Sequence, residues 1–153
     1  QVKIDADGIK FGTDTAAANA LSDYEEGSWT PTLNSGTVST SHAKYIRIGN
    51  MCWINAGFSN ASDTTSSTAI MIPQASLPFN KAAFADNIIM GTCPHRYFSY
   101  STKDTLFHWV INGSGIQLQS SNDAFGDKAF STVLHQHIDA SYSAFNISGW
   151  YTV

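Results

Sequence analysis

The side chains that could do chemistry here are a few carboxylates, imidazoles and hydroxyls, and their spacing limits that chemistry. Glu25 and Glu26 are the only glutamates, and they are adjacent. Glycoside hydrolysis needs two carboxyl groups facing each other across a sugar. Neighbouring side chains point to opposite faces of a strand and diverge by ~100° on a helix, so this pair suits pairing with Lys or Arg better than catalysis. More distant acid pairs, Asp104 with Asp123 or Asp127, are left open. Ser114 stands in Asn112-Gly113-Ser114-Gly115, a hairpin turn without the strand–turn–helix setting of a nucleophile elbow. No catalytic residue is assigned, and the chain is read as a non-enzyme.

His135-Gln136-His137 places two imidazoles on one face of a strand expected over Phe130–His137. Repeated by a threefold axis, they could surround a metal. Two histidines supply only part of a coordination sphere, and a polar strand face is the plainer reading, so no metal or other cofactor is expected. The segment His95-Arg96-Tyr97-Phe98-Ser99-Tyr100, with His108 and Trp109, mixes rings with polar groups. Sugars offer flat apolar faces to aromatic rings and hydroxyls to Asn, Asp and Arg. The candidate sugar contacts are therefore Arg96, Tyr97, Tyr100, Trp109 and Asn112. The competing role for the rings is burial in a core or subunit interface.

These residues must be positioned by strands. The chain has 153 residues, enough for one domain with a core, and few of them are charged. Ser, Thr, Asn, Gly and aromatic residues abound, which favours an all-β extracellular module. The net charge is −4, with Lys and Arg scattered, so nucleic acid is not an expected partner. No apolar run approaches the ~20 residues that span a bilayer, so membrane insertion is not expected. Cys52 and Cys93 lie in apolar stretches without framework or metal spacing, and are read as buried free thiols.

Val2–Asp5 and Ile9–Phe11 alternate around Asp7-Gly8, a hairpin with too few apolar side chains for a core of its own. Residues 13–27 read as a linker, with a short helix capped by Asp14 or Thr15 and broken at Gly27. Beyond it, short strands recur with turns between them. Trp29–Leu33 is expected as an edge strand, because Pro31 cannot donate to a ladder. Tyr45–Ile48, Gly49-Asn50 and the alternating Cys52, Ile54, Ala56, Phe58 series form a hairpin, with that series inward. Ala69–Pro73, Asn87–Cys93, His95–Tyr100 and Leu106–Ile111 add strands, and Ile116 and Leu118 alternate with Gln117 and Gln119. Leu77-Pro78-Phe79 can plug one end. In the last strand Phe145, Ile147, Gly149, Tyr151 and Val153 share one face, and Ala144, Asn146, Ser148, Trp150 and Thr152 the other. The expected fold is an antiparallel β-sandwich, jelly-roll-like, in two parts: residues 1–27 and 28–153.

The stretch Gly12-Thr13-Asp14-Thr15-Ala16-Ala17-Ala18-Asn19-Ala20-Leu21-Ser22-Asp23-Tyr24-Glu25-Glu26-Gly27-Ser28-Trp29-Thr30-Pro31 resembles the "AANALDDYEEGTWTP" junction of bacteriophage tail-fibre proteins. Three later features follow in order: Tyr45–Asn50 is similar to a "Y-x-K-I-G-N" hairpin, Ile72-Pro73 to Leu77-Pro78-Phe79 to a "P…LPF" element, and Ile147–Thr152 to a closing "SG-x-Y-x-T" strand. Ser22 replaces the usual acid, and residues of about 80–145 carry no shared motif. The resemblance implies a homotrimeric, receptor-binding C-terminal tip: a shaft stub feeding three β-sandwich knobs at the distal end of the virion's tail fibre. Gln1 is not a natural start, so more shaft is expected before residue 1. The implied partners are other copies of the chain and a bacterial surface glycan or outer-membrane protein. Its rivals are a purely structural trimerisation and capping domain, and a tailspike-type glycan-degrading enzyme.

Overall fold

The computed structural model describes residues 2–6, 8–13, 24–82, 88–96, 98, 104–122, 130–139 and 143–153. Among the described residues the regular elements are antiparallel strands and two single 3-10 turns, so the fold is all-β as the alternation predicts. Strands β1 (Val2–Asp5) and β2 (Gly8–Phe11) form a separate hairpin, with Val2 opposite Phe11 and Asp5 opposite Gly8. Gly8 has φ +120°, a conformation that glycine adopts freely. Asp5 holds Lys3 at 2.9 Å and Lys10 at 3.2 Å, while Val2 and Ile4 face outward.

The main sheet runs β11 (Phe130–Thr132), β10 (Gly115–Asn122), β9 (Asp104–Asn112), β7 (Ile88–Thr92), β12 (Ala144–Thr152), β5 (Met51–Ser59), β4 (Ser39–Ile48), β3 (Glu25–Ser28). Two short strands lie off this path: β6 (Met71–Pro73) on β10, and β8 (His95–Arg96) on β12. Cys52, Ile54, Ala56 and Phe58 of β5 are all buried, as are Phe145, Ile147 and Tyr151 of β12. They join Trp109 and Ile111 of β9 and Ile116 and Leu118 of β10 in one core. One core shared by both ends of the ladder is consistent with a sandwich.

The β4–β5 hairpin turns on Gly49-Asn50, with Gly49 at φ +58°. Val153 N donates to Asn50 O at 2.9 Å and ties the end of β12 to that turn. Leu77-Pro78-Phe79 closes the core near the same end. Tyr151 Oη donates to Phe79 O (3.0 Å) and accepts from Phe79 N (3.3 Å), and Tyr45 meets the Phe79 ring edge-on at 5.4 Å. Cys52 and Cys93 are buried free thiols, and burial pushes both above their ordinary pKa.

Three expectations are corrected. Trp29–Leu33 joins no ladder, in keeping with Pro31 lacking an N–H; Trp29 N instead donates to Ala43 O (3.2 Å), and Leu33 is buried. Glu25–Gly27 belong to β3, paired with Arg47–Tyr45, so the sheet begins within the stretch read as linker. The strand expected over Phe130–His137 ends at Thr132; Leu134 makes a single bridge to Ala69, and His135–His137 form a 3-10 turn. The helix expected after Asp14 lies outside the described residues.

Candidate functional site

Period-2 alternation turns Met51, Trp53, Asn55, Gly57 and Ser59 of β5 away from the core. Their cross-strand partners make this outer face. Asn146 of β12 and His42 of β4 flank Gly57, while Ala144 and Ser39 flank Ser59. The register shifts between Thr40 and His42, so Ser41 is an extra residue in β4 and bends the strand locally. Ser41 Oγ lies 3.3 Å from Gly57 O, to which it can donate, and 3.1 Å from His42 Nδ1.

Gly57 leaves room for this cluster. A Cβ there would stand 2.5 Å from Asn146 Oδ1, 2.6 Å from His42 Cε1 and 2.6 Å from Ser41 Oγ. Three polar side chains thus converge over bare backbone. On the other side of β12, β8 extends the same rows: Arg96 pairs with Ala144 and points outward, while His95 pairs with Phe145 and points inward. The result is an open cleft of about 350 Å³ with Ser41, Ser59, Arg96 and Asn146 on its rim and Pro94 and Ala144 among its walls. Phe58 and Phe145, stacked at 4.7 Å, are buried in the core beside it and present almost no surface. Among the described residues, no carboxylate lines it. Its volume is at the lower end of the ~300–1,000 Å³ usual for small-ligand sites. Hydroxyl, amide and guanidinium groups beside the small apolar walls of Pro94 and Ala144 can take the hydroxyls of a sugar.

Of the residues singled out in the sequence, Arg96 lines this cleft and is exposed. Tyr97 and Tyr100 lie outside the described residues. Trp109 is corrected: its side chain is fully buried and its Nε1 donates to Ser148 O at 3.1 Å, so it presents no surface. Asn112 braces the β9–β10 turn, accepting from Ser114 N (2.9 Å) and donating to Gln117 Oε1 (2.8 Å). His135 and His137 share no strand face. His135 is buried with Nε2 3.1 Å from Asn34 Oδ1, and His137 Nδ1 accepts from Leu134 N at 3.1 Å. No group of three or more metal-ligating side chains forms among the described residues.

Glu25 and Glu26 alternate across β3, and each accepts from a tyrosine: Tyr45 at 2.6 Å and Tyr24 at 2.7 Å. The side chains of Asp104, Asp123 and Asp127 are outside the described set. Ser41, Ser59 and Asn146 escaped the sequence reading. Asn146 opposite a glycine on a polar strand face was the one local signal for them, and it depended on knowing that β12 pairs with β5.

His95 lines the cleft and His108 lies on β9, and both rings pack against aromatic neighbours. The His95 ring lies 3.6 Å from that of Phe107, and His108 is buried edge-on to Phe130 at 4.8 Å. Burial holds both below the ordinary histidine value of 6.5, partly opposed in His95 by a hydrogen bond to the Cys93 carbonyl and in His108 by one to Gln119. The unfolded chain therefore takes up protons more readily, and stability is complete above the unfolded value and falls with pH below it. The urea midpoint is expected to be flat above about pH 7 and to fall as the pH drops below about 6.5, and His108→Gln should flatten that fall. A midpoint that rises on acidification over this window would contradict the assignment.

Comparison with protein-family models, with curated proteins and with solved structures finds no match to the chain.

Proposed function

We propose that this chain is the C-terminal tip of a bacteriophage tail fibre, a non-enzymatic homotrimer that attaches the virion to a glycan on the bacterial surface. The junction-like stretch, the Gly49-Asn50 hairpin and the closing strand support the family resemblance. The β1–β2 hairpin, with Val2 and Ile4 outward, suits a shaft stub that other copies complete. The observation that carries the binding function is the cleft rimmed by Ser41, Ser59, Arg96 and Asn146. Single sugar sites bind weakly, and three on one trimer raise avidity by ~10²–10⁴ on a dense surface.

Labelled wild-type protein is expected to bind host cells. Arg96→Ala with Asn146→Ala should reduce that binding at least about tenfold, as when ~1.4 kcal/mol is lost, with no change in melting temperature because Arg96 and Asn146 are exposed. Undiminished cell binding by the double variant would overturn the cleft assignment. Wild-type protein that binds no host cell, in a virion that still assembles normally, would favour a purely structural cap.

A further inference from the structure

The outer face that holds the cleft changes character along its strands. Beyond Asn55 and Lys44 it becomes apolar. Trp150 lies directly opposite Trp53, and Trp53 opposite Ile46; in the next row Thr152 faces Met51, and Met51 faces Ile48. Trp150 is 48% exposed, Met51 47%, Ile48 45% and Trp53 40%. Side chains of this size leave on the order of 400 Å² of contiguous apolar surface in water, a size at which the largest patch of a protein is often functional.

We infer that this apolar half-face is where copies of the chain pack against one another. The inference rests on the homotrimer reading and names the surface that would serve it. Ile46, Ile48, Met51 and Trp53 line an apolar hollow of about 210 Å³. Its three aliphatic members, Ile46, Ile48 and Met51, offer no polar group to sugar hydroxyls and pack well against a protein core patch. The rim is self-complementary. Glu26 pairs with Ile46 across β3 and β4, and Lys44 is two residues away on β4. Lys44 Nζ donates to Ser28 Oγ at 2.7 Å and Glu26 accepts from Tyr24, and the two charges form no ion pair with each other among the described residues. One copy thus presents both a cation and an anion to the other. A stable interface covers ~800 Å² per partner, with an apolar centre inside a polar rim; the patch supplies such a centre, and Glu26, Lys44, Asn55 and Thr152 supply rim.

The test measures the mass of the whole 153-residue chain at ~10 μM by light scattering and sedimentation. Two variants are compared with wild type: Met51→Lys, and Trp53→Ser with Trp150→Ser. Wild type should have three times the chain mass, and both variants should shift to the single-chain mass with the far-ultraviolet β spectrum retained. Should the tryptophan variant fail to fold, Met51→Lys alone decides, since it adds a charge at a side chain already half in water. Wild-type trimer whose mass survives the substitutions overturns the interface alone. Wild type of single-chain mass overturns the interface and the trimer reading together. Arg96→Ala, outside this patch, should keep the trimer mass whatever it does to cell binding.

Discussion

Trp109→Ala is expected to lower folding stability by ~3–5 kcal/mol, in the range for truncating a buried tryptophan. Trp109 is fully buried in β9, where it pairs with Leu118 of β10 on one side and Gly91 of β7 on the other. Its indole reaches past β7, so that Nε1 donates to Ser148 O of β12 at 3.1 Å. One side chain therefore links three neighbouring strands. Removing it opens a cavity and leaves a carbonyl without its donor, and both losses add. Trp109→Phe separates them, because it keeps a ring but no N–H, and should cost less. Urea unfolding read by circular dichroism gives both values, and a loss under about 1 kcal/mol for Trp109→Ala would contradict this placement. Weak receptor binding by such a variant would report unfolding and not a lost contact, which is why Arg96 and Asn146 are the residues to substitute.

The strands were legible where alternation was strong. Cys52 to Phe58 and Phe145 to Val153 alternate cleanly, and each buries the expected face. Gly49-Asn50 declared its hairpin because a two-residue turn needs positive φ. Trp109 misled because composition cannot tell a ring that stacks on sugar from one that fills a core; its neighbour His108 is also buried, so the segment carries no alternation to separate the two. His135-Gln136-His137 misled because three residues fit a strand or a 3-10 turn equally well, and what decided was tertiary: Gln136 N donates to Ser66 O and His135 N to Thr68 O. The cleft was hidden for a related reason. Ser41, Gly57, Arg96 and Asn146 come from four strands, and only the register of β12 between β5 and β8 brings them together. The outward tryptophans Trp53 and Trp150 could be placed on their faces from sequence, yet that they stand directly opposite each other is again a matter of register.

Register also sets the second large effect, at Gly91. This residue faces Trp109 across β7 and β9 and Gly149 across β7 and β12, beside an irregularity in the β7–β9 ladder. A Cβ added there would collide with the Ser148 carbonyl oxygen and stand 2.5 Å from Trp109 Nε1 and 2.8 Å from Cε2. Neither neighbour can yield cheaply: one is backbone in the middle of β12, and the other is a fully buried indole bonded to that same carbonyl. Gly91→Ala is therefore expected to cost about 3 kcal/mol, the upper end of the usual overpacking range. Gly49→Ala is the matched control. Gly49 has φ +58° and nothing within 4 Å of an added Cβ, so its cost is conformational alone, ~1–2 kcal/mol. Urea midpoints should rank Gly91→Ala below Gly49→Ala, and the reverse order would mean that β7 and β12 are not packed this closely. Combining Gly91→Ala with Trp109→Phe removes one of the two obstructions. The pair should cost less than the sum of the single substitutions, as contacting residues do, but more than Trp109→Phe alone, because the Ser148 carbonyl stays in the way.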